Sequence, residues 1–253
     1  MSSASSKSSD LMIHKKVALL VSIEYYATMN YLMGQHSGTT EWGKRLKNRF
    51  GFICHYLRDK LATIEGVEAK WVELTNGLVA GDSFVFVFSG HGGRWQDYDG
   101  DEENGVDETR WLYGDFNWPD DKLRALIGGI PLGVKITVIL DSCYSGTGTR
   151  TPDMPPPPPY VVRRNRGLDE EKMREIVFSA TDASNQGWTS SVGGLFSRAC
   201  LRDLDALVGH PTARQLYDRM IAKGTTGYGP WPYKNQFPQL EGPTDLKDSP
   251  VFV

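Results

Sequence analysis

Two residues of this chain have the types and settings that nucleophilic catalysis needs. His91 stands in Phe88-Ser89-Gly90-His91-Gly92-Gly93, and Cys143 in Leu140-Asp141-Ser142-Cys143-Tyr144-Ser145-Gly146. A thiol attacks poorly until it loses its proton, and a neighbouring imidazole is an economical base for that step. Glycines beside the histidine let the backbone approach a substrate closely and leave amides to donate. The amides of Gly92 and Cys143 are therefore expected to face the oxygen that becomes negative during acyl transfer. A lone cysteine at a strand end is usually a small buried hydrophobe, and a lone histidine before two glycines is usually a loop residue. The two together, each in a Gly/Ser-rich turn after an apolar run, point to chemistry instead. Cys54 and Cys200 give the contrast, since they lie in strand-like and helix-like patterns with no glycine beside them.

The elements that must position this pair are short apolar runs of the kind that form buried parallel strands. Four of them span 17–23, 83–89, 135–141 and 175–180, and a weaker fifth spans 52–58. Helical patterns separate them. One covers 40–50. In a second, Ile64, Val67, Trp71, Leu74 and Leu78 recur at three- and four-residue steps and mark one apolar face. A third, at 119–127, opens on Pro119-Asp120-Asp121, with proline early and carboxylates in the first turn. Two more follow at 194–204 and 212–223. This alternation predicts an α/β fold with a mostly parallel central sheet and helices on both faces. His91 and Cys143 then fall just past the carboxyl ends of two strands, the edge where open sheets of this class place their sites. Two stretches read as irregular: 94–118, acidic with interleaved aromatics, and 147–172, a loop with prolines at 155–159 followed by Arg163-Arg164-Asn165-Arg166.

The 253 residues are enough for one domain with a real core, expected over 15–253 after a serine-rich, disordered tail at 1–14. A net charge of -3 provides no basic field for nucleic acid or an anionic membrane. The three cysteines include no CxxC pair, which argues against a zinc site or a disulfide framework and for thiols kept reduced. The apolar run Val17-Ala18-Leu19-Leu20-Val21 is too short to span a membrane and has no small-residue cleavage site after it. A cytoplasmic location is the resulting expectation.

The two motifs together, in this order, resemble the active-site motifs of metacaspases, in the caspase-like clan. The acidic run between them, Asp99-Gly100-Asp101-Glu102-Glu103-Asn104-Gly105-Val106-Asp107-Glu108, is similar to the metacaspase acidic segment. Gly81-Asp82-Ser83 and Arg49-Phe50-Gly51-Phe52 fit as well, and the likeness runs from about Lys16 to Gly146. The resemblance implies a caspase-like three-layer sandwich and peptide hydrolysis through an acyl-enzyme, with Cys143 as nucleophile and His91 as general base. It favours a compact, single-domain monomer. The rival reading is a caspase-like pseudo-protease that only binds partners, against which the intact pair speaks.

The resemblance also implies an acidic S1 pocket for Arg or Lys at P1. Asp141 and Ser89, each two residues before a member of the pair, match two pocket positions; a carboxylate is the right partner for a guanidinium. The family pattern Leu-x-Gly-Cys-x-Asn-Asp is here Leu32-Met33-Gly34-Gln35-His36-Ser37-Gly38, so a second pocket carboxylate is replaced by Gly38, with Glu41 one turn further as a substitute. A regulatory calcium site is implied at Asp107, Asp120 and Asp121, in keeping with the oxygen ligands that calcium prefers. Asp97 to Glu108 is not an EF-hand, because its glycine falls at the fourth place rather than the sixth.

Overall fold

The structure is a computed structural model that describes residues 13–27, 31–96, 106–114, 116–144, 170–181, 187–223, 236 and 238–253. In chain order the elements are β1 (Lys16–Ser22), α1 (Gln35–Phe50), β2 (Ile53–Arg58), α2 (Ile64–Thr75), β3 (Ser83–Gln96), β4 (Val106–Leu112), β5 (Phe116–Pro119), α3 (Asp120–Gly128), β6 (Lys135–Tyr144) and β7 (Glu175–Ser179). They continue with β8 (Thr189–Ser190), β9 (Gly193–Gly194), α4 (Leu195–Asp205), α5 (Ala213–Lys223), β10 (Gln239–Glu241) and α6 (Thr244–Lys247). The main sheet has the order β10-β7-β6-β3-β1-β2. Its β7, β6, β3, β1 and β2 are parallel neighbours, and β10 joins antiparallel at the β7 edge.

Strand alternation divides the core into two layers. Leu19, Val21, Phe84, Phe86, Phe88, Val138 and Leu140 face α2 and α3, which supply Val67, Trp71, Leu123 and Ile127. Trp71 stands edge-on to Phe84 and Phe86, with ring centroids 4.7 and 5.1 Å away. Ala18, Leu20, Val85, Val87 and Ile139 face the other way, toward Trp42 and Leu46 of α1, Phe196 and Leu204 of α4, and Leu216 and Met220 of α5. The inner strands β1, β3 and β6 are covered on both sides, which is why they read as continuous apolar runs, whereas the edge strand β2 is only partly buried. This is the caspase-like three-layer sandwich.

Two departures from the expected elements bear on the site. The first is the start of α1, at Gln35 rather than Thr40. Gly34 turns the chain with φ 94°, and the Glu24 carboxylate accepts the Gly34 and His36 amides at 3.0 Å each, satisfying donors a helix leaves open at its N-terminus. The second is the stretch 94–118, expected to be irregular. There β3 continues to Gln96 and pairs with β4, which turns back into β5, all antiparallel. Residues 97–105 and 147–169, and the tail at 1–12, lie outside the described residues; Glu170–Lys172 form a 3-10 turn.

Candidate active site

The site is built on the register of β3 against β6. Ser89 pairs with Asp141, Gly90 with Ser142, His91 with Cys143 and Gly92 with Tyr144. The two motifs, more than fifty positions apart in the chain, therefore end side by side in the centre of the sheet. Alternation puts positions 89 and 91 on one face and positions 141 and 143 on the same face of the neighbouring strand. Adjacent strands lie roughly 4.8 Å apart, so residues paired across them are immediate neighbours.

His91 is buried, with 6% exposure. Tyr26 holds it from the side where β1 ends. The last rung of that ladder is the Ile23 amide on the Ser89 carbonyl at 3.1 Å. Two residues along β3, the His91 amide donates instead to the Tyr26 hydroxyl at 2.7 Å. That hydroxyl donates to the Trp111 carbonyl of β4 at 3.4 Å, and the Tyr26 and His91 rings lie 4.8 Å apart with a 49° tilt.

Ser89 and Asp141 face α1 and α4. The Ser89 hydroxyl donates to Gln35 Oε1 at 2.6 Å, and Gln35 Nε2 donates to Thr189 Oγ1 at 2.8 Å and the Met33 carbonyl at 3.2 Å. Gln35 thereby ties the start of α1 to the middle of β3 and to β8. The buried Asp141 carboxylate lies at the N-terminus of α4 and accepts the Ser197 amide at 3.3 Å. A Cβ on Gly194 would collide with that carboxylate, so the residue before the helix has to be glycine. Burial pushes the Asp141 carboxyl up to about 6, against the opposing pull of the Ser197 hydroxyl and amide. Gly38 lies beside Ser89: a Cβ there would stand 4.0 Å from Ser89 Oγ and 3.6 Å from the Gly193 Cα. Glu41 is engaged elsewhere, by Lys44 at 2.6 Å and by Arg45 on the outer side of α1, and does not replace the missing carboxylate.

The other two thiols are held protonated. Burial pushes Cys200 far above the ordinary thiol range, helped by Asp203 and Asp141, and burial also raises Cys54 against the pull of Lys47.

The residues expected to hold calcium gather at one end of the β4–β5 hairpin. Thr109 pairs with Pro119, which places Asp107, two residues earlier on β4, near Asp120 and Asp121 at the start of α3. Asp120 and Asp121 are both paired with Arg124, at 3.2 and 2.8 Å. Among the described residues there is no group of three or more His, Cys, Asp or Glu side chains that could hold a metal ion. As arranged, the two described carboxylates serve an arginine and do not by themselves form a cation cage.

Tyr26, Gln35 and Ser197 were not legible as site residues in the sequence. Gln35 carried the one available signal, since it stands where the family pattern has cysteine.

Comparison with known proteins matches the profile of the metacaspase, peptidase C14 domain over residues 15–152. Metacaspase-1 of Meyerozyma guilliermondii is 32% identical over 199 residues, covering 73% of this chain and 48% of the relative. Metacaspase-1 of Ajellomyces capsulatus is 29% identical over 227 residues, covering 79% of this chain and 59% of the relative. The chain thus spans about half the length of these curated relatives. Among solved structures, protein GSU0716 of Geobacter sulfurreducens superposes with a TM-score of 0.73 at 21% identity, over 94% of this chain and 98% of that one. Caspase-1 of Spodoptera frugiperda gives 0.61 at 13% identity, over 91% and 87%. Likeness at this identity speaks for the fold alone.

Proposed function

The chain belongs to the metacaspase family, and on that premise we propose that it is a cysteine endopeptidase that cleaves after Arg or Lys, with Cys143 as nucleophile and His91 as its acid/base partner. The observation that carries the reading is the pairing of His91 with Cys143, two positions beyond the pairing of Ser89 with Asp141.

In this reaction His91 takes the Cys143 thiol proton and the thiolate attacks the carbonyl carbon of the P1 residue. The carbonyl oxygen becomes an oxyanion, for which the amides of Gly92 and Cys143 would be the donors once they leave the β3–β6 ladder that engages them here. Collapse expels the leaving amine, which takes its proton from His91, and the acyl group remains on Cys143 as a thioester. His91 then takes a proton from water, the hydroxide attacks the thioester, and the acid product departs as the thiol is restored.

The basic P1 preference is supported by Asp141. Its carboxyl is buried and held near 6, so an arriving guanidinium or ammonium supplies a countercharge to it. Ser89 adds a hydroxyl at the next strand. With Gly38 in place of a second carboxylate and Glu41 turned away, recognition of P1 charge falls on Asp141. The expected partner is a protein or peptide substrate, and a reducing, cytoplasmic setting suits the free thiol.

Calcium responsiveness is a separable part of the proposal, supported by the convergence of positions 107, 120 and 121 on one end of the hairpin. Binding there would require Asp120 and Asp121 to exchange Arg124 for the ion, and would act on the order of the hairpin rather than on a chemical step.

Fluorogenic peptides with Arg, Lys or Asp at P1, with calcium or a chelator, test the proposal. Cleavage after Arg and Lys that disappears in Cys143→Ala supports it. Cleavage after Asp overturns the pocket assignment, and cleavage that survives in Cys143→Ala overturns the nucleophile.

A further inference from the structure

The histidine of the pair sits at a place where the sheet stops supporting it. On the β1 side, ladder bonding ends with the Ile23 amide on the Ser89 carbonyl. The His91 amide, two residues on, points the same way, and a buried amide needs an acceptor. Tyr26 provides it through its hydroxyl, at 2.7 Å, in place of the strand that has left. The same hydroxyl reaches the Trp111 carbonyl, so one side chain joins the end of β1 to β3 and β4. Its ring lies against the imidazole, 4.8 Å between centroids, and Tyr26 is itself 9% exposed.

The motif glycine before the histidine belongs to the same arrangement. A Cβ on Gly90 would stand 2.7 Å from the Tyr26 hydroxyl oxygen and 3.0 Å from Phe88 Cζ. Any larger residue at 90 would push away the hydroxyl that holds the next residue's amide.

We propose that Tyr26 is a positioning residue for His91, fixing the backbone and the ring plane of the acid/base histidine. The inference rests on the reading of His91 as the acid/base group. The ring lies against the imidazole and the hydroxyl pins the backbone that carries it, which together restrict the orientations open to His91. Loss of the hydroxyl removes the acceptor that holds the His91 amide and the link to the Trp111 carbonyl, and so acts on the histidine rather than on the Asp141 carboxyl.

Wild type, Tyr26→Phe, Gly90→Ala and His91→Ala are compared for kcat and KM on an Arg peptide, with thermal melting in parallel. Tyr26→Phe keeps the ring and removes the anchor. It is expected to lower kcat about tenfold, the scale of one hydrogen bond in a transition state, with KM within about twofold. Its melting temperature should stay within about 5 °C of wild type. Gly90→Ala should show the same split. A Tyr26→Phe enzyme with wild-type kcat, beside an inactive His91→Ala, overturns the role of Tyr26 and leaves that of His91 standing. A loss in Tyr26→Phe that follows KM and melting rather than kcat makes Tyr26 merely structural and also overturns it. A fully active His91→Ala removes the reading on which the inference rests.

Discussion

His91 on β3 and Cys143 on β6 are register partners in the centre of a parallel sheet, and Ser89 and Asp141 are partners two positions before them. The proposed sites of charge recognition and bond cleavage thus lie two positions apart on one ladder. A rigid, doubly covered sheet sets their spacing, with no loop between them to adjust it.

Removing either member of the pair should separate catalysis from folding. Cys143→Ala should lose all detectable peptide hydrolysis while its melting temperature stays within about 3 °C of wild type. His91→Ala should lower kcat by roughly 10²–10⁴, the usual contribution of a positioned acid/base group. Steady-state kinetics and calorimetry on the same preparations check both. A Cys143→Ala protein that still turns over would remove the nucleophile assignment.

Asp141 should carry opposite signs for stability and function. Its folded carboxyl is held near 6, above the ordinary 3.8, because burial disfavours the charge. The folded state therefore binds this proton more tightly than the unfolded chain. The stability associated with that proton is full below pH 3.8 and is lost as pH rises through about 6. At neutral pH the charged carboxylate is held at a penalty of up to about 3 kcal/mol. Asp141→Asn, which can still accept the Ser197 amide, should match wild type near pH 3.5 and exceed it in stability above pH 7. The same variant should lose about 100-fold in kcat/KM on Arg peptides, the scale of losing a buried charged contact. Denaturant titrations at two pH values read the first effect. If the stability difference does not change with pH, the carboxyl is not desolvated as described.

Gln35 should matter for binding more than for chemistry. It is 1% exposed and joins Ser89, Thr189 and Met33. Gln35→Ala strands the buried Ser89 hydroxyl, while that of Thr189 keeps the Met33 carbonyl at 2.9 Å, and should cost about 1–3 kcal/mol of stability. KM for Arg peptides should rise about fivefold, while kcat changes by less than about twofold. A variant with wild-type KM would mean that Ser89 needs no fixed partner in the pocket.

Much of this arrangement was legible in the sequence, and the rest was hidden for physical reasons. The parallel strands appeared as apolar runs within a residue of their starts, because buried strands have few polar positions to interrupt them. However, β3 and β6 run on to Gln96 and Tyr144, so His91 and Cys143 lie within the strands rather than just past the expected ends at 89 and 141. His91 and Cys143 stood out because both follow such runs. The β4–β5 hairpin did not appear, since Asp107, Glu108, Thr109 and Arg110 make its first strand read as a polar loop. The start of α1 was placed five residues late because its cap is Glu24, ten positions before Gly34 and joined to it only in three dimensions. Tyr26 and Ser197 gained their roles from the meeting of distant segments, which no local pattern records.

The calcium element has its own test at Arg124. Its ion pairs with Asp120 and Asp121 are half-exposed and worth only about 0.3–0.5 kcal/mol each. Arg124→Ala should therefore melt close to wild type but bind calcium more tightly, since two carboxylates lose their competing cation. Asp120→Ala with Asp121→Ala should abolish any calcium effect on turnover. Calorimetric titration of the three proteins decides it: the absence of calcium binding in both wild type and Arg124→Ala would end the calcium proposal.

The most direct test of the central claim is covalent trapping with peptidyl chloromethyl ketones ending in Arg or Asp, read by intact mass and peptide mapping. A single adduct from the Arg probe on Cys143 is predicted, absent with the Asp probe and absent in Cys143→Ala. Cys54 and Cys200, whose thiols burial keeps protonated, should remain unmodified. Peptide hydrolysis by a protein whose Cys143 stays unlabelled, or labelling that falls equally on the other cysteines, would contradict the account.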